Sequence, residues 1–138
     1  MKDSSRQPSI LVVDDDPDSR IFFEHEFSNN GFQGKLRFLQ TRRAIRKYLA
    51  YLGENCAAET AVPLRAILVA SYFPGWELEG LIQALRAAPG LRNVPVVVLT
   101  ASAVENEYWQ EKLPADGTRF LVKPVREQDL KSLLEGVS

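Results

Sequence analysis

The sequence is poor in the residues that build metal frameworks and covalent staples. It has one cysteine, Cys56, and one histidine, His25, in 138 residues. A lone cysteine excludes an internal disulfide framework and leaves too few thiols for a structural zinc site. His25 lies between Glu24 and Glu26, an acidic setting that suits a surface residue better than a phosphotransfer histidine. Long apolar runs are also missing: the stretches at 66–70 and 94–101 are far too short to cross a bilayer. Residues 1–9, MKDSSRQPS, are polar and show no secretory signal. Neither sign of charge dominates, since 17 basic residues face 18 acidic ones. That balance argues against general nucleic-acid binding, which usually needs a basic domain or stripe.

What remains is globular. Hydrophobic residues make up 45% of the chain and charged residues 25%, enough for one ordinary core. With no internal repeat and no linker, the sequence predicts a short disordered segment at 1–8 and a single cytoplasmic domain over 9–138.

Short apolar runs alternate with segments of helical period. Residues 10–13 (ILVV) predict a buried strand. Asp16 and Pro17 then stand where a helix cap and first helical residue belong, and Gly31 where the helix ends. Residues 35–39 (KLRFL) mix charge and apolar side chains as a sheet-edge strand does. Ala44, Ile45, Tyr48, Leu49 and Leu52 form one helical stripe, with Gly53 as its expected terminator and 54–64 as a long loop. Strands follow at 66–70, 96–99 and 118–122. Between and after them lie helices marked by Leu78, Leu81, Ile82 and Leu85, by 104–113, and by Leu130, Leu133, Leu134 and Val137.

Five strands, each followed by a helix, predict a parallel sheet covered on both faces. Right-handed crossovers favour a flavodoxin-like doubly wound (βα)5 sandwich of strand order 2-1-3-4-5. Function in such folds gathers at the carboxyl ends of the strands. There the sequence places Asp14 and Asp15, Ala70, Thr100, and Lys123 with Pro124. An acidic pair, a hydroxyl and a lysine on one edge would suit a divalent cation and a phosphoryl group.

From about Ser9 to its end the chain resembles a response-regulator receiver domain of two-component signalling. The motifs that carry the resemblance are ILVVDDDP at 10–17, FPGWELEG at 73–80, VPVVVLTA at 94–101 and FLVKP at 120–124. The resemblance implies magnesium-assisted phosphoryl transfer from a kinase phosphohistidine to an aspartate that ends the third strand. It implies Asp15 as the direct metal ligand, Asp14 as its outer acidic partner, Thr100 as the switch hydroxyl and Lys123 as the phosphate-contacting lysine. Phe120 would be the switch aromatic, and the Lys123–Pro124 peptide is expected to be cis. The loop after the second helix and PGLRNVPVVVLTAS at 89–102 resemble the single-domain receivers that accompany bacterial phytochromes.

One departure outweighs these matches. The family's acceptor aspartate stands four residues before the loop proline, here Pro74, and that position is Ala70. The interval from Ala70 to Thr100 fits the same register. Alanine has no oxygen to phosphorylate, so the chemistry lacks its nucleophile. Ser71 is no substitute, because adjacent side chains on an extended segment face opposite ways. Magnesium binding should be weak or vestigial, with Lys123 paired to Asp14 or Asp15.

The leading expectation is therefore a non-enzymatic pseudo-receiver that signals by protein contact. No effector segment follows residue 138 in this sequence, so output is expected by docking or self-association. Its partners would be a sensor histidine kinase or another signalling protein, or a second copy through the fourth helix, fifth strand and fifth helix. Tyr108 and Trp109 are the candidate aromatic anchors there; membrane and nucleic-acid partners are not expected. Arg42, Arg43, Arg46 and Lys47 read as a solvated helix face. Two alternatives stay open: a phosphoryl-accepting regulator whose aspartate was engineered to Ala70, and a small-ligand or anion sensor that uses the vacated pocket. The unusual Ser71-Tyr72-Phe73 and Trp76-Glu77-Leu78 loop favours a natural change over an engineered one.

Overall fold

The computed structural model describes residues 9–32, 34–54, 64–88, 90–113, 118–123 and 125–136. The expected N-terminal segment at 1–8, the stretch around Cys56 and the Lys123–Pro124 peptide lie outside the described residues. The elements alternate strictly: β1 (Ser9–Val13), α1 (Pro17–Asn29), β2 (Lys35–Leu39), α2 (Arg42–Glu54), β3 (Leu64–Ala70), α3 (Leu78–Ala87), β4 (Val96–Thr100), α4 (Ala103–Lys112), β5 (Arg119–Val122) and α5 (Glu127–Gly136). All strand pairings are parallel, in the order β2-β1-β3-β4-β5. This is the flavodoxin-like doubly wound sandwich that the alternation predicts.

Burial follows the period of the strands. Every residue of β1 and β4 is buried, whereas β2 at the sheet edge alternates with solvent. Leu11, Val13, Ile67, Val69, Val96 and Val98 face a core closed by Ile45 of α2 and by Leu78, Leu81 and Leu85 of α3, with Trp109 of α4 packed against it. The alternate residues Ile10, Val12, Ala66, Leu68, Val97 and Leu99 pack on Phe23 and Phe27 of α1.

Local signals set the helix ends. The Asp16 side chain accepts from the Asp18 amide at 2.9 Å, and Pro17 opens α1, which satisfies a donor that the helix itself cannot. At the other end Gly31 takes φ +78°, and the Phe32 amide reaches the Phe27 carbonyl at 3.0 Å. A ring contact of 5.4 Å between Phe27 and Phe32 completes this helix stop.

Three expectations need correction. Gly53 does not end α2, which continues to Glu54; a helical glycine costs only about 1 kcal/mol relative to alanine, and the apolar stripe before it carries the helix past that cost. Leu64 belongs to β3 rather than to the loop, because β1 begins at Ser9 and Leu64 pairs with it across a register shift. Thr100 is the last residue of β4, paired with Val122, rather than a residue beyond the strand.

Leu81 is fully buried between α3 and the sheet. Leu81→Ala should cost about 2–5 kcal/mol of unfolding free energy. Ile21→Ala, on the exposed side of α1, should stay within about 0.5 kcal/mol of the parent in the same urea titration.

Candidate functional site

The parallel sheet brings the four candidate strand ends to one edge, and backbone hydrogen bonds join their exits. The Asp14 amide donates to the Leu39 carbonyl at 3.2 Å, Ser71 to Leu99 at 2.8 Å, and Lys123 to Thr100 at 2.8 Å. Asp14, Ala70, Thr100 and Lys123 are thereby held in fixed relative positions.

Alternation along β1 turns Asp14 inward and Asp15 out. Asp14 is 3% exposed, whereas Asp15 is exposed, so the two adjacent carboxylates avoid one another by facing different surroundings. The Asp14 carboxylate is fully engaged. Its Oδ2 accepts from Lys123 Nζ at 2.9 Å and from the Ser19 hydroxyl at 2.7 Å, and its Oδ1 accepts from the Asp16 amide at 3.1 Å. A buried carboxylate needs this many donors, because desolvation without them would cost several kcal/mol. Lys123 keeps 34% of its side chain exposed.

Ala70 ends β3 opposite Leu99 and is buried. By strand parity it shares the α1 side of the sheet with Asp14. Ser71 falls on the other side, where its hydroxyl donates to Glu105 Oε2 at 2.6 Å. Thr100 is also held on that far side: its hydroxyl donates to the Leu121 carbonyl at 3.3 Å and accepts from Asn106 Nδ2 at 3.2 Å. Phe120 is half-buried against the α2–α3 core.

Glu105 is the residue that reading the strand ends missed. It spans two loops, accepting from Ser71 after β3 and, through Oε1, from the Ala101 amide after β4 at 2.7 Å. The signal that could have found it is local. Ser102-Ala103-Val104-Glu105 has the spacing of a capping box, and Ser102 does cap α4 through the Glu105 amide. Burial pulls the Glu105 pKa upward, but bonds from Ser71, Ala101 and Trp109, helped by the Lys123 charge, outweigh it and hold the carboxyl below its ordinary value of 4.5.

The donor set offers a divalent cation fewer oxygens than such ions usually take. Ala70 offers no oxygen, Asp14 is engaged by three donors, and of the Asp14–Asp15 pair only Asp15 faces solvent. Among the described residues, no three histidine, cysteine or acidic side chains gather closely enough to hold a metal ion. Beside Lys123 opens an apolar cleft of about 330 Å3, lined by Phe22, Phe23 and Val125 with Asp16, Asp18 and Ser19. Among the described residues no helix is long and apolar enough to cross a membrane.

Comparison with known proteins bears on the fold. No family model matches the chain. The bacteriophytochrome response regulator AtBRR superposes with a TM-score of 0.74 at 22% identity, covering 95% of this chain and 94% of its own. The fold is that of a response-regulator receiver domain. Two curated proteins share sequence along it. "Probable methanogenesis regulatory protein FilR2" of Methanothrix harundinacea is 26% identical over 128 residues, 93% of this chain and 79% of that protein. The sensor protein GacS of Pseudomonas syringae is 27% identical over 134 residues, which are 95% of this chain but only 13% of GacS. The chain also shares that architecture with the chemotaxis response regulator CheY4 of Vibrio cholerae, at a TM-score of 0.70 and 21% identity over 96% of this chain and 99% of that one.

Two outcomes test the site. Lys123→Met leaves the Asp14 carboxylate buried with one donor fewer and should cost about 1–3 kcal/mol in urea unfolding. For Glu105 the folded pKa lies below the unfolded one, so the stability it contributes is present above the ordinary glutamate value and is lost as pH falls through the folded value. The parent should therefore exceed Glu105→Gln in stability at neutral pH and converge with it in acid, measured by urea titrations across a pH series.

Proposed function

We propose that this chain is a pseudo-receiver: a signalling module of receiver fold that works by protein contact and does not accept a phosphoryl group. One observation carries the reading. The side chain at the end of β3, opposite Leu99 and on the same side of the sheet as Asp14, is the methyl group of Ala70. Phosphoryl transfer needs an oxygen nucleophile there, and no neighbour is placed to supply one. Ser71 is turned to the far side and bonded to Glu105, while Asp14 is committed to Lys123 and Ser19.

The rest of the site supports the same reading. Lys123 and Thr100, the remnants of the phosphoryl pocket, are held by internal partners, so the pocket needs no ligand to satisfy its polar groups. Asp14 and Asp15 would bind magnesium weakly, on the order of millimolar, because affinity follows the number and charge of oxygen ligands. Phe120 occupies the position of the switch aromatic. The likeness to FilR2, a regulatory protein by its name, and to GacS, a sensor protein, supports a place in two-component signalling. A sensor histidine kinase or another signalling protein is the partner class that follows. Residues 9–138 would form the receiver unit, and a second copy could meet it through α4, β5 and α5, where Tyr108 is half-exposed.

Intact mass spectrometry after incubation with acetyl phosphate and magnesium tests the proposal. The chain should show no added phosphoryl mass under conditions that label an active receiver, and a phospho-adduct would overturn the reading. Ala70→Asp should gain labelling if only the nucleophile is missing. Its failure to label would mean that the Asp14–Lys123 arrangement has also departed from a working pocket.

A further inference from the structure

On the α3–α4 side of the functional edge lies a groove of about 510 Å3 whose walls are aromatic and acidic. The loop after β3 supplies Tyr72 and Trp76, α4 supplies Tyr108 and Trp109, and Glu77 and Glu79 stand at the start of α3. Tyr72 is 72% exposed and Tyr108 50% exposed, so both rings are open to an incoming side chain. Glu77 and Glu79 are exposed, and no lysine or arginine lines the groove.

The rings already attract cations from outside its walls. The Arg46 guanidinium of α2 sits 5.8 Å from the Trp76 ring centre, and the Lys112 ammonium 5.6 Å from that of Tyr108. Aromatic faces carry negative potential and hold guanidinium groups best when carboxylates lie nearby. Tyrosine, tryptophan and arginine are also the residues that most often dominate binding energy at interfaces.

We propose that this groove is a docking site for an arginine-bearing segment of a partner protein. The guanidinium would stack on the exposed ring of Tyr72 and pair with Glu77 or Glu79. Charge complementarity selects this occupant: the charged side chains that line the groove are Glu77 and Glu79, which attract a cationic segment and repel an acidic one, while Arg46 and Lys112 already attend Trp76 and Tyr108 and leave the exposed Tyr72 ring to the incoming guanidinium. The proposal stands apart from the loss of the acceptor, since a phosphorylatable chain would keep the same groove. The two can therefore fail separately.

The chain has only two tryptophans, Trp76 and Trp109, and both line the groove, so intrinsic fluorescence reports on it directly. Titration of the full chain with a capped Gly-Arg-Gly-Arg-Gly peptide should give a saturable change in tryptophan emission. The matching lysine peptide should bind severalfold more weakly, and a glutamate peptide should give no response. Tyr72→Ala, and the double variant Glu77→Gln with Glu79→Gln, should each weaken arginine-peptide binding about tenfold; all three residues are exposed, and far-ultraviolet circular dichroism checks that the fold is kept. Absence of saturation at millimolar peptide, or unchanged affinity in both variants, would overturn the proposal. So would emission that shifts with protein concentration alone while sedimentation reports a dimer, because a second copy would then be the occupant.

Discussion

A parallel sheet whose inner strands are buried on both faces leaves side chains only one place to meet at a site, the edge where the strands end. In this protein β1, β3 and β4 spend their residues on two hydrophobic layers, one under α2 and α3 and one under α1. Parallel pairing sends all five chain exits to the same side. The backbone bonds from Asp14 to Leu39, Ser71 to Leu99 and Lys123 to Thr100 then fix the spacing of those exits. Both the strand-end pocket and the aromatic groove inherit their positions from this constraint.

Electrostatics at that edge is closed on itself. Asp14 is buried and could not stay charged without donors, and Lys123, Ser19 and the Asp16 amide provide them. Glu105 does the corresponding work on the other side of the sheet, where it ties the loop after β3 to the loop after β4. Each carboxylate takes one donor from an element distant in sequence, Lys123 for Asp14 and Ser71 for Glu105, so each also acts as a structural clasp. A receiver that must bind metal and phosphoryl needs part of this capacity left open. A module that signals through its surface does not.

The surface beside the edge is correspondingly differentiated. The start of α2 presents Arg42, Arg43, Arg46 and Lys47 to solvent, as a solvated face should. Two of them also brace the loop after β3: Arg42 donates to the Gly75 carbonyl at 3.3 Å, and Arg46 lies over Trp76. Tyr108 and Trp109, adjacent on α4, divide their roles. Trp109 packs against the core while Tyr108 reaches solvent, with the two rings edge to face at 4.9 Å.

Much of this was legible in the sequence, because the signals involved are periodic or local. Strand period, helical stripes, the Asp16-Pro17 cap and the Gly31 stop are read over a few residues, and β2 declared itself an edge strand through its own alternation. Ala70 could be placed by the resemblance to receiver domains, from its spacing to Pro74, and strand parity already turned Ser71 away from it. Signals that depend on a neighbour were not legible. Gly53 stays helical, and Leu64 joins a strand only because β1 begins opposite it.

The sequence by itself determined the alternating architecture and the absence of an oxygen at position 70, since covalent structure and chain periodicity need no fold to exist. Only the tertiary structure decided that Lys123 chooses Asp14 over Asp15, that Glu105 bridges two loops, and that five aromatic rings line one groove with Glu77 and Glu79. Those are relations between residues far apart along the chain, and only packing brings them within the few ångströms over which hydrogen bonds and ring contacts act.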